Sequence, residues 1–221
     1  MTQTIKNAIV IGATGLVGKA LIKQLDQLAQ CEKITAVVRQ EDIELKQRSK
    51  VEQLVLDDFL LLNDQDVHGF SHAFSCLGST QKKAGSKENF YAIDFEINAH
   101  FADLFETTDT HFILVSAMGA NANSKIFYNR VKGELENYLQ SLGLARISII
   151  RPSLLLGERN EQRTLEDLGQ KVFQKLSHFI PNTFKYKPVT AEQVAHTMVE
   201  VAQTQTVKFE IYDNLRIQNS K

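Results

Sequence analysis

A chain of 221 residues is long enough to bury one sizeable core, so we expect a single domain over residues 1–221. Its 25 basic and 26 acidic side chains nearly balance. This balance excludes a strong overall field that would draw the chain to nucleic acid or to an anionic membrane, so recognition must be local.

The two cysteines, Cys31 and Cys76, form neither a Cys-x-x-Cys pair nor a disulfide framework, which is typical of a reducing compartment. Cys76 follows a predicted strand and is interpreted as a small buried apolar residue. The first residues lack the features of a signal peptide, and no run approaches the roughly 20 apolar residues of a membrane span. These features predict a cytoplasmic protein that does not bind membranes.

Seven short apolar runs rich in Val and Ile alternate with segments of helical period. The runs are 7–12, 34–39, 51–56, 72–78, 111–116, 145–151 and 208–212. Continuous apolar runs are typical of parallel strands buried on both faces, and the helical segments between them serve as right-handed crossovers. The pattern predicts an α/β fold with a Rossmann-type, doubly wound parallel sheet.

Apolar periodicity predicts helices between these strands. They cover 16–29, about 88–107 and 127–142, and a further helix begins near residue 190. Thr190 and Gln193 have the spacing of a capping box, and Gly143 can serve as the C-terminal cap of the third helix. Helices 88–107 and 127–142 could pair two subunits in a homodimer.

Residues 153–190 depart from the alternation of strands and helices. They carry a charged segment, an amphipathic run and two prolines. We expect a small C-terminal lid insertion there, beside the substrate. Its apolar side chains suit either the core of the lid or the wall of an apolar pocket.

Three glycines, Gly12, Gly15 and Gly18, recur at every third position between the first strand and the first helix. Glycine permits a tight turn and lets the backbone approach phosphate oxygens with no Cβ in the way. The following helix N-terminus offers free amides and a partial positive charge to an anion. The pattern predicts a dinucleotide site; the alternative is a merely structural tight turn.

Arg39 ends the second strand, where the side chain selects between the two pyridine dinucleotides. An acidic residue would accept from the ribose 2′-hydroxyl of NAD, whereas a cation accommodates the 2′-phosphate of NADP. Glu41 and Asp42 come later, so we favour NADP(H) over NAD(H); the alternative is an arginine that extends into solvent. Asp57 and Asp58, after the third strand, suit either an acceptor for the adenine amino group or a helix N-cap.

Tyr128 and Lys132 lie four residues apart at the start of the predicted helix 127–142, hence on one face. A neighbouring ammonium favours phenolate and lowers the pKa of a phenol from its ordinary value of about 10, which suits carbonyl–alcohol chemistry. Ser116, at the end of the fifth strand, could hold a substrate carbonyl, and Lys132 could bond the nicotinamide ribose. The alternative is a half-buried aromatic, a solvated lysine and a turn serine.

Two further patterns have simpler interpretations. His68 and His72 have a spacing suited to metal ligands, but a glycine interrupts them and no third ligand is near, so no metal site is expected. Lys82, Lys83 and Lys87 form a basic loop near the expected cofactor edge. Such lysines are either solvated or in contact with a phosphate.

The motifs, in this order, resemble the short-chain dehydrogenase/reductase superfamily. They are the three-glycine turn, SCLGST (Ser75 to Thr80), Ser116, Tyr128-x-x-x-Lys132 and RPSLLLG (Arg151 to Gly157). More narrowly, SCLGST, YNRVKGELE and RPSLLLGERNEQR are similar to the atypical branch that contains the Tat-interacting oxidoreductase-like proteins and small bacterial relatives. The similarity covers nearly the whole chain.

The resemblance implies NADP(H) bound along the carboxyl edge of the sheet, with Ser116, Tyr128 and Lys132 at the reacting end. It places the pyrophosphate at Gly12, Ala13, Thr14, Gly15, Leu16, Val17 and Gly18, the 2′-phosphate at Arg39, the ribose beside Cys76, Leu77 and Gly78, and the nicotinamide beside Pro152, Ser153 and Leu154. Asp94 stands where extended relatives commonly carry an asparagine, so a proton relay through it would differ.

Two functions follow from this resemblance. The first is an NADP(H)-dependent oxidoreductase that transfers hydride between the cofactor and a carbonyl or alcohol of an unknown small-molecule substrate. The alternative is a nucleotide-binding regulatory or scaffold protein without significant turnover, because a fold and a cofactor site do not establish turnover.

Overall fold

The structure, a computed structural model, describes residues 3–156 and 184–220, and its centre is a seven-stranded parallel sheet. The strands are β1 (Asn7–Ile11), β2 (Lys33–Val38), β3 (Val51–Val55), β4 (His72–Ser75), β5 (His111–Val115), β6 (Arg146–Ile150) and β9 (Phe209–Tyr212). Their order is β3-β2-β1-β4-β5-β6-β9, and every neighbouring pair is parallel. The predicted doubly wound sheet is confirmed, and its strand order reverses between β1 and β4, where ligands bind in such folds.

Helices cover both faces of the sheet. They are α1 (Leu16–Gln27), α2 (Ile43–Lys46), α3 (Gln81–Ala84), α4 (Lys87–Tyr91), α5 (Ile97–Asp103), α6 (Phe127–Ser141), α7 (Ala191–Thr204) and α8 (Asn214–Asn219), with a 3-10 turn at Phe59–Leu61 and a π-helical turn at Ala92–Glu96. None of the helices described for residues 3–156 and 184–220 is long and apolar enough to cross a membrane.

Two hydrophobic clusters lie on opposite faces of the sheet, because successive side chains of a strand point to opposite sides. On β1, Val10 belongs to the cluster beneath α1 and α7, whereas Ile9 and Ile11 belong to the cluster beneath α5 and α6. Burial on both faces explains why the five inner strands read as continuous apolar runs. Burying one such side chain stabilises the fold by about 1.5–3 kcal/mol.

Of three predictions about the helices, one is confirmed and two are wrong. Thr190 and Gln193 form both hydrogen bonds of the capping box at the start of α7. The predicted helix over 88–107 is instead α4, the π-helical turn and α5. Gly143 does not cap α6, because Leu142 takes that place and the Gly143 amide donates to Glu106 Oε1 at 3.0 Å.

The predicted lid falls largely outside the described residues. Of residues 153–190, the structure describes 153–156 and 184–190. Within them, β7 (Leu155–Leu156) pairs in parallel with β8 (Val189–Thr190) as a separate two-stranded sheet. The lid itself stays a prediction.

His72 and His111 lie side by side inside the sheet, on β4 and β5, with ring centroids 5.6 Å apart. His72 Nε2 donates to the carbonyl of Ala202 at 3.1 Å, and His111 Nε2 lies 2.8 Å from Ser148 Oγ. Burial, opposed in part by the bond to Ala202, lowers the pKa of His72 from 6.5 to about 4. Burial, together with the neighbouring His72, lowers the pKa of His111 to about 3.

These two histidines should make the protein less stable in mild acid. Between pH 6.5 and about pH 4, the unfolded chain binds protons that the folded chain excludes, so the free energy of unfolding falls as the pH falls. We expect each histidine to remove about 1–2 kcal/mol between pH 7 and pH 5. Urea unfolding at several pH values measures this dependence.

Substituting one of the two residues isolates its share of the pH dependence. His111→Gln should reduce the slope of stability against pH by up to one proton, whereas His68→Gln, on an exposed side chain, should leave it unchanged. An unchanged slope in His111→Gln would contradict the assignment.

Candidate active site at the carboxyl edge of the sheet

The loop after β1 and the first turn of α1 pack so closely that Gly12 and Gly18 have no room for a side chain. Gly12 has φ +71°, and a Cβ there would lie 2.5 Å from the backbone of Cys76 and Leu77. A Cβ on Gly18 would lie 2.2 Å from the carbonyl oxygen of Gly12. The tight turn and the close packing of helix on strand are therefore both present.

The first backbone amides of α1 have no side-chain cap among residues 3–156 and 184–220. Gly15 is the N-cap of this helix, and the first turn holds no acidic residue. Thr14 and Gly15 are exposed, whereas Ala13 and Val17 are buried beneath them. Uncapped amides and a partial positive charge fit a phosphate group, as the glycine pattern predicts.

Arg39 follows β2 and is exposed, and it forms no ion pair with any residue that the structure describes. The two acids after it are already engaged. Glu41 pairs with Lys46 at 2.9 Å, and Asp42 caps α2 and pairs with Lys19 at 3.2 Å. Among the described residues, the guanidinium is therefore a charged group without an ion pair at this strand end.

Asp57 and Asp58 differ in what they contact. Asp58 caps the 3-10 turn, where its carboxylate accepts from the Leu60 amide at 2.9 Å. This bond matches the alternative that the sequence left open, a helix N-cap. Asp57 is exposed.

The segment after β4 lies across the end of β1. The Cys76 amide donates to the Ile11 carbonyl at 3.0 Å, and burial raises the pKa of the Cys76 thiol far above its ordinary range. Such a thiol is a poor nucleophile. Leu77 is half-buried, and Gly78 is exposed. A Cβ on Gly78 would lie 3.2 Å from Asp94 Oδ1 and 3.4 Å from Lys132 Nζ, so its backbone covers these two groups.

Tyr128 and Lys132 occupy the first turns of α6, one turn apart. The Tyr128 side chain is half-buried, with its ring 5.6 Å from that of Phe90, and its hydroxyl has no hydrogen-bond partner within residues 3–156 and 184–220. Lys132 is only 3 % exposed. The structure therefore brings an available hydroxyl and a buried lysine together, as the sequence predicts.

The partner of Lys132 is a residue whose role the sequence did not predict. Lys132 Nζ lies 2.7 Å from Oδ1 of Asp94, which is fully buried on the π-helical turn. Burial opposes the charge on Lys132, but Asp94 and Tyr128 outweigh it and raise the pKa of the ammonium. Asp94 Oδ2 accepts from the Ser79 amide at 2.8 Å. One carboxylate thus joins Lys132 to the loop after β4.

Ser116 is buried, and its hydroxyl donates to Glu136 Oε1 on α6. Glu136 is itself buried and pairs with Arg151, whose Nε lies 3.1 Å from the same oxygen. Glu136 and Arg151 were missed as neighbours of Ser116, because no spacing rule links the end of β5 to the third turn of α6. The Ser116 proton is thus committed to a carboxylate, whereas the Tyr128 hydroxyl is not.

The segment after β6 is held by the loop after β5 and by the C-terminal part of the chain. The Pro152 carbonyl accepts from the Met118 amide at 2.8 Å, and the Ser153 amide donates to Asn214 Oδ1 at 2.8 Å. The Ser153 hydroxyl donates to the Lys187 carbonyl at 2.7 Å. Leu154 is 53 % exposed and offers an apolar surface.

Comparison with known proteins identifies the family. The family model HIM1 matches residues 30–190. The chain belongs to the HIM1 family. Protein FMP52-1, mitochondrial, of Scheffersomyces stipitis is 34% identical to it over 200 residues, which cover 89% of this chain and 88% of the relative. Protein HTATIP2 of Rattus norvegicus is 34% identical over 175 residues, which cover 77% of this chain and 72% of that protein.

Solved structures share the fold of this HIM1-family chain. UDP-glucuronic acid 4-epimerase from Bacillus cereus in complex with NAD has a TM-score of 0.68 at 12% identity, covering 93% of this chain and 76% of that chain. An oxidoreductase of the short chain dehydrogenase/reductase family from Burkholderia thailandensis has a TM-score of 0.66 at 16% identity. The match covers 99% of this chain and 95% of that chain. These structures confirm the predicted Rossmann fold, and the 34% identity to HTATIP2 confirms the predicted resemblance to the Tat-interacting oxidoreductase-like branch.

The names of the relatives overturn one prediction. FMP52 proteins of Scheffersomyces stipitis, Debaryomyces hansenii and Candida albicans are all designated mitochondrial. The prediction of a cytoplasmic protein is therefore wrong. It depended on two unpaired cysteines, on the lack of signal-peptide features and on the lack of a membrane span, none of which separates one reducing compartment from another.

Proposed function

We propose that this HIM1-family protein binds NADP(H) and transfers hydride between the cofactor and a carbonyl or alcohol group of a small molecule. One observation carries the proposal: Tyr128, whose hydroxyl has no hydrogen-bond partner among the described residues, lies one helical turn from the charged Lys132. Both follow β5, at the same edge of the sheet as the uncapped N-terminus of α1.

The residues at this edge fit a pyridine dinucleotide. The free amides of α1 suit the pyrophosphate, and Arg39 suits a 2′-phosphate. Cys76, Leu77 and Gly78 would lie along the ribose, and Leu154 would face the nicotinamide. When bound, the cofactor supplies or accepts a hydride at the nicotinamide ring.

In the direction of reduction, Tyr128 donates its hydroxyl proton to the carbonyl oxygen as that oxygen gains charge. The resulting phenolate is stabilised by the Lys132 ammonium one turn away. Ser116 can contact the same oxygen only if its proton leaves Glu136. Reaction in the opposite direction uses Tyr128 as the base that removes the alcohol proton.

A nucleotide-binding regulatory or scaffold function is the second candidate, and one observation favours it. The Ser116 hydroxyl donates to the buried Glu136, so the group expected to polarise a substrate carbonyl is already engaged. A protein of this kind would keep the cofactor site and show no dependence on Tyr128. A panel of aldehydes and ketones, assayed for cofactor-dependent reduction, separates the two functions.

Arg39 should determine the preference for NADPH over NADH. A charge-assisted bond to the 2′-phosphate contributes about 1.5–3 kcal/mol, so Arg39→Ala should weaken NADPH binding by roughly tenfold or more. NADH lacks this phosphate, and its affinity should change less than about twofold. Calorimetric titration of both nucleotides measures the effect.

Lys33→Ala provides the control for this titration. Lys33 lies at the opposite end of β2, where it pairs with Glu52 at 2.7 Å, so its removal should leave both affinities unchanged. Equal affinity of the unmodified protein for NADPH and NADH would end the proposed preference. Loss of both affinities in Arg39→Ala would indicate a structural role.

A further inference from the structure

The Lys132–Asp94 ion pair is shielded from water. The Asp94 side chain is fully buried, that of Lys132 is 4% exposed, and the Gly78 backbone lies over both. Charges interact more strongly in such a site than they do in water, because little solvent screens them. A change in either charge should therefore be felt by a group bound at Tyr128.

The carboxylates that act on the Lys132 charge, Asp94 and Glu136, each belong to an ion pair. Asp94 neutralises Lys132, and Arg151 neutralises Glu136, which also acts on Lys132. Without Asp94, Lys132 would add one uncompensated positive charge beside the tyrosine. The net charge of this cluster thus depends on one side chain on the π-helical turn.

The nicotinamide ring changes its own charge during the reaction. The oxidised ring is a cation, and the reduced ring is neutral. An uncompensated ammonium nearby repels the oxidised ring and has little effect on the reduced one. The charge of the Lys132–Asp94 pair should therefore change the affinity for the oxidised cofactor more than the affinity for the reduced cofactor.

We propose that Asp94 is a positioning residue that, by neutralising Lys132, sets the relative affinity of the site for NADP⁺ and NADPH. The reduction potential of the bound cofactor follows from that ratio. This inference rests on the proposed function, because it requires the nicotinamide to lie beside Tyr128. Asp94 acts through Lys132 and does not touch the reacting atoms.

The test compares the dissociation constants of NADP⁺ and NADPH in the full chain, with and without Asp94→Asn. Measurement at pH 6.5 favours the ammonium form of Lys132 in the variant, because burial without Asp94 lowers the pKa of this lysine. NADP⁺ binding should weaken about tenfold more than NADPH binding. This change raises the potential of the bound couple by about 30 mV, since a tenfold ratio in a two-electron couple corresponds to that shift.

Two further variants guard against a folding defect. At pH 8.5, Lys132→Met leaves the Asp94 carboxylate without its ammonium, so the ratio of the NADP⁺ to the NADPH dissociation constant should fall about tenfold. In the double variant D94N/K132M, the pair is neutral again, and the ratio should return to within about twofold of the unmodified protein. If Asp94 had a purely structural role, its substitution would weaken the binding of NADP⁺ and of NADPH by the same factor.

Asp103→Asn is the matched control. Asp103 lies on α5 at the surface, where its carboxylate accepts a hydrogen bond from the Tyr138 hydroxyl at 2.8 Å. The variant removes one negative charge, as Asp94→Asn does, and it should leave the ratio of the NADP⁺ to the NADPH dissociation constant unchanged. If both cofactors bind and Asp94→Asn keeps the ratio within about twofold, the inference is wrong and the proposed function stands. If the unmodified protein binds neither cofactor, the proposed function and the inference fall together.

Discussion

Gly18→Ala should unfold the turn that precedes α1 and abolish cofactor binding. The added Cβ would lie 2.2 Å from the Gly12 carbonyl oxygen and 2.9 Å from the Ala13 Cα. Both atoms belong to the backbone, so no side-chain rotation relieves the contact, and α1 must move away from β1. We expect a loss of at least about 3 kcal/mol in the free energy of unfolding, the scale of a severely overpacked site.

Urea unfolding measures this loss, and titration with NADPH measures the lost affinity. Gly15→Ala is the matched control for folding. Its Cβ meets only the Gly12 carbonyl, at 3.2 Å, and the φ of −75° suits any residue. The variant should fold with a stability within about 1 kcal/mol of the unmodified protein, the usual size of such a change.

The same control tests where the pyrophosphate lies. The Cβ of Gly15→Ala stands at the N-terminus of α1, where the backbone should approach the phosphate oxygens. We therefore expect NADPH affinity to fall at least about tenfold while the fold is kept. If Gly15→Ala binds NADPH as tightly as the unmodified protein, the pyrophosphate does not lie on this turn.

Tyr128→Phe should lower turnover at least about a hundredfold, because it removes the proton donor and leaves the ring in place. The ring should keep its contact with Phe90, so folding and NADPH affinity should change little. The measurement is kcat/KM for reduction of an aldehyde identified in the substrate panel. Its ratio to the unmodified value gives the loss of transition-state stabilisation directly.

Tyr91→Phe supplies the comparison for Tyr128→Phe. Tyr91 lies on α4, with its ring stacked 4.8 Å from Phe95, and its hydroxyl has no role in the proposed reaction. It should keep full turnover. Equal turnover in the two variants would exclude Tyr128 as the acid and favour the nucleotide-binding regulatory function.

Several elements follow directly from local sequence. The seven strands lie where the apolar runs predict them, and in the five inner strands burial on both faces leaves no polar alternation. The start of α7 is equally local, since Thr190 and Gln193 satisfy each other's backbone amides. The turn at Gly12 belongs with them, because its left-handed φ favours glycine.

The interruption of the predicted helix 88–107 has no comparable local cause. No glycine or proline lies between Lys87 and Asp103. The π-helical turn coincides with long-range bonds: Asp94 reaches Lys132, and Ser75 donates to Asn98. Apolar periodicity depends only on residues that are near one another along the chain, so it predicts one regular helix there.

Local sequence specifies the order of strands and helices, the glycine turn and the Tyr128–Lys132 spacing, because each depends on residues within a few positions of one another. The tertiary structure decided the electrostatics of the site. It paired Lys132 with Asp94 and directed the Ser116 proton to Glu136. Charge and hydrogen bonding depend on which distant side chains share a buried space, and only the packed fold brings those together.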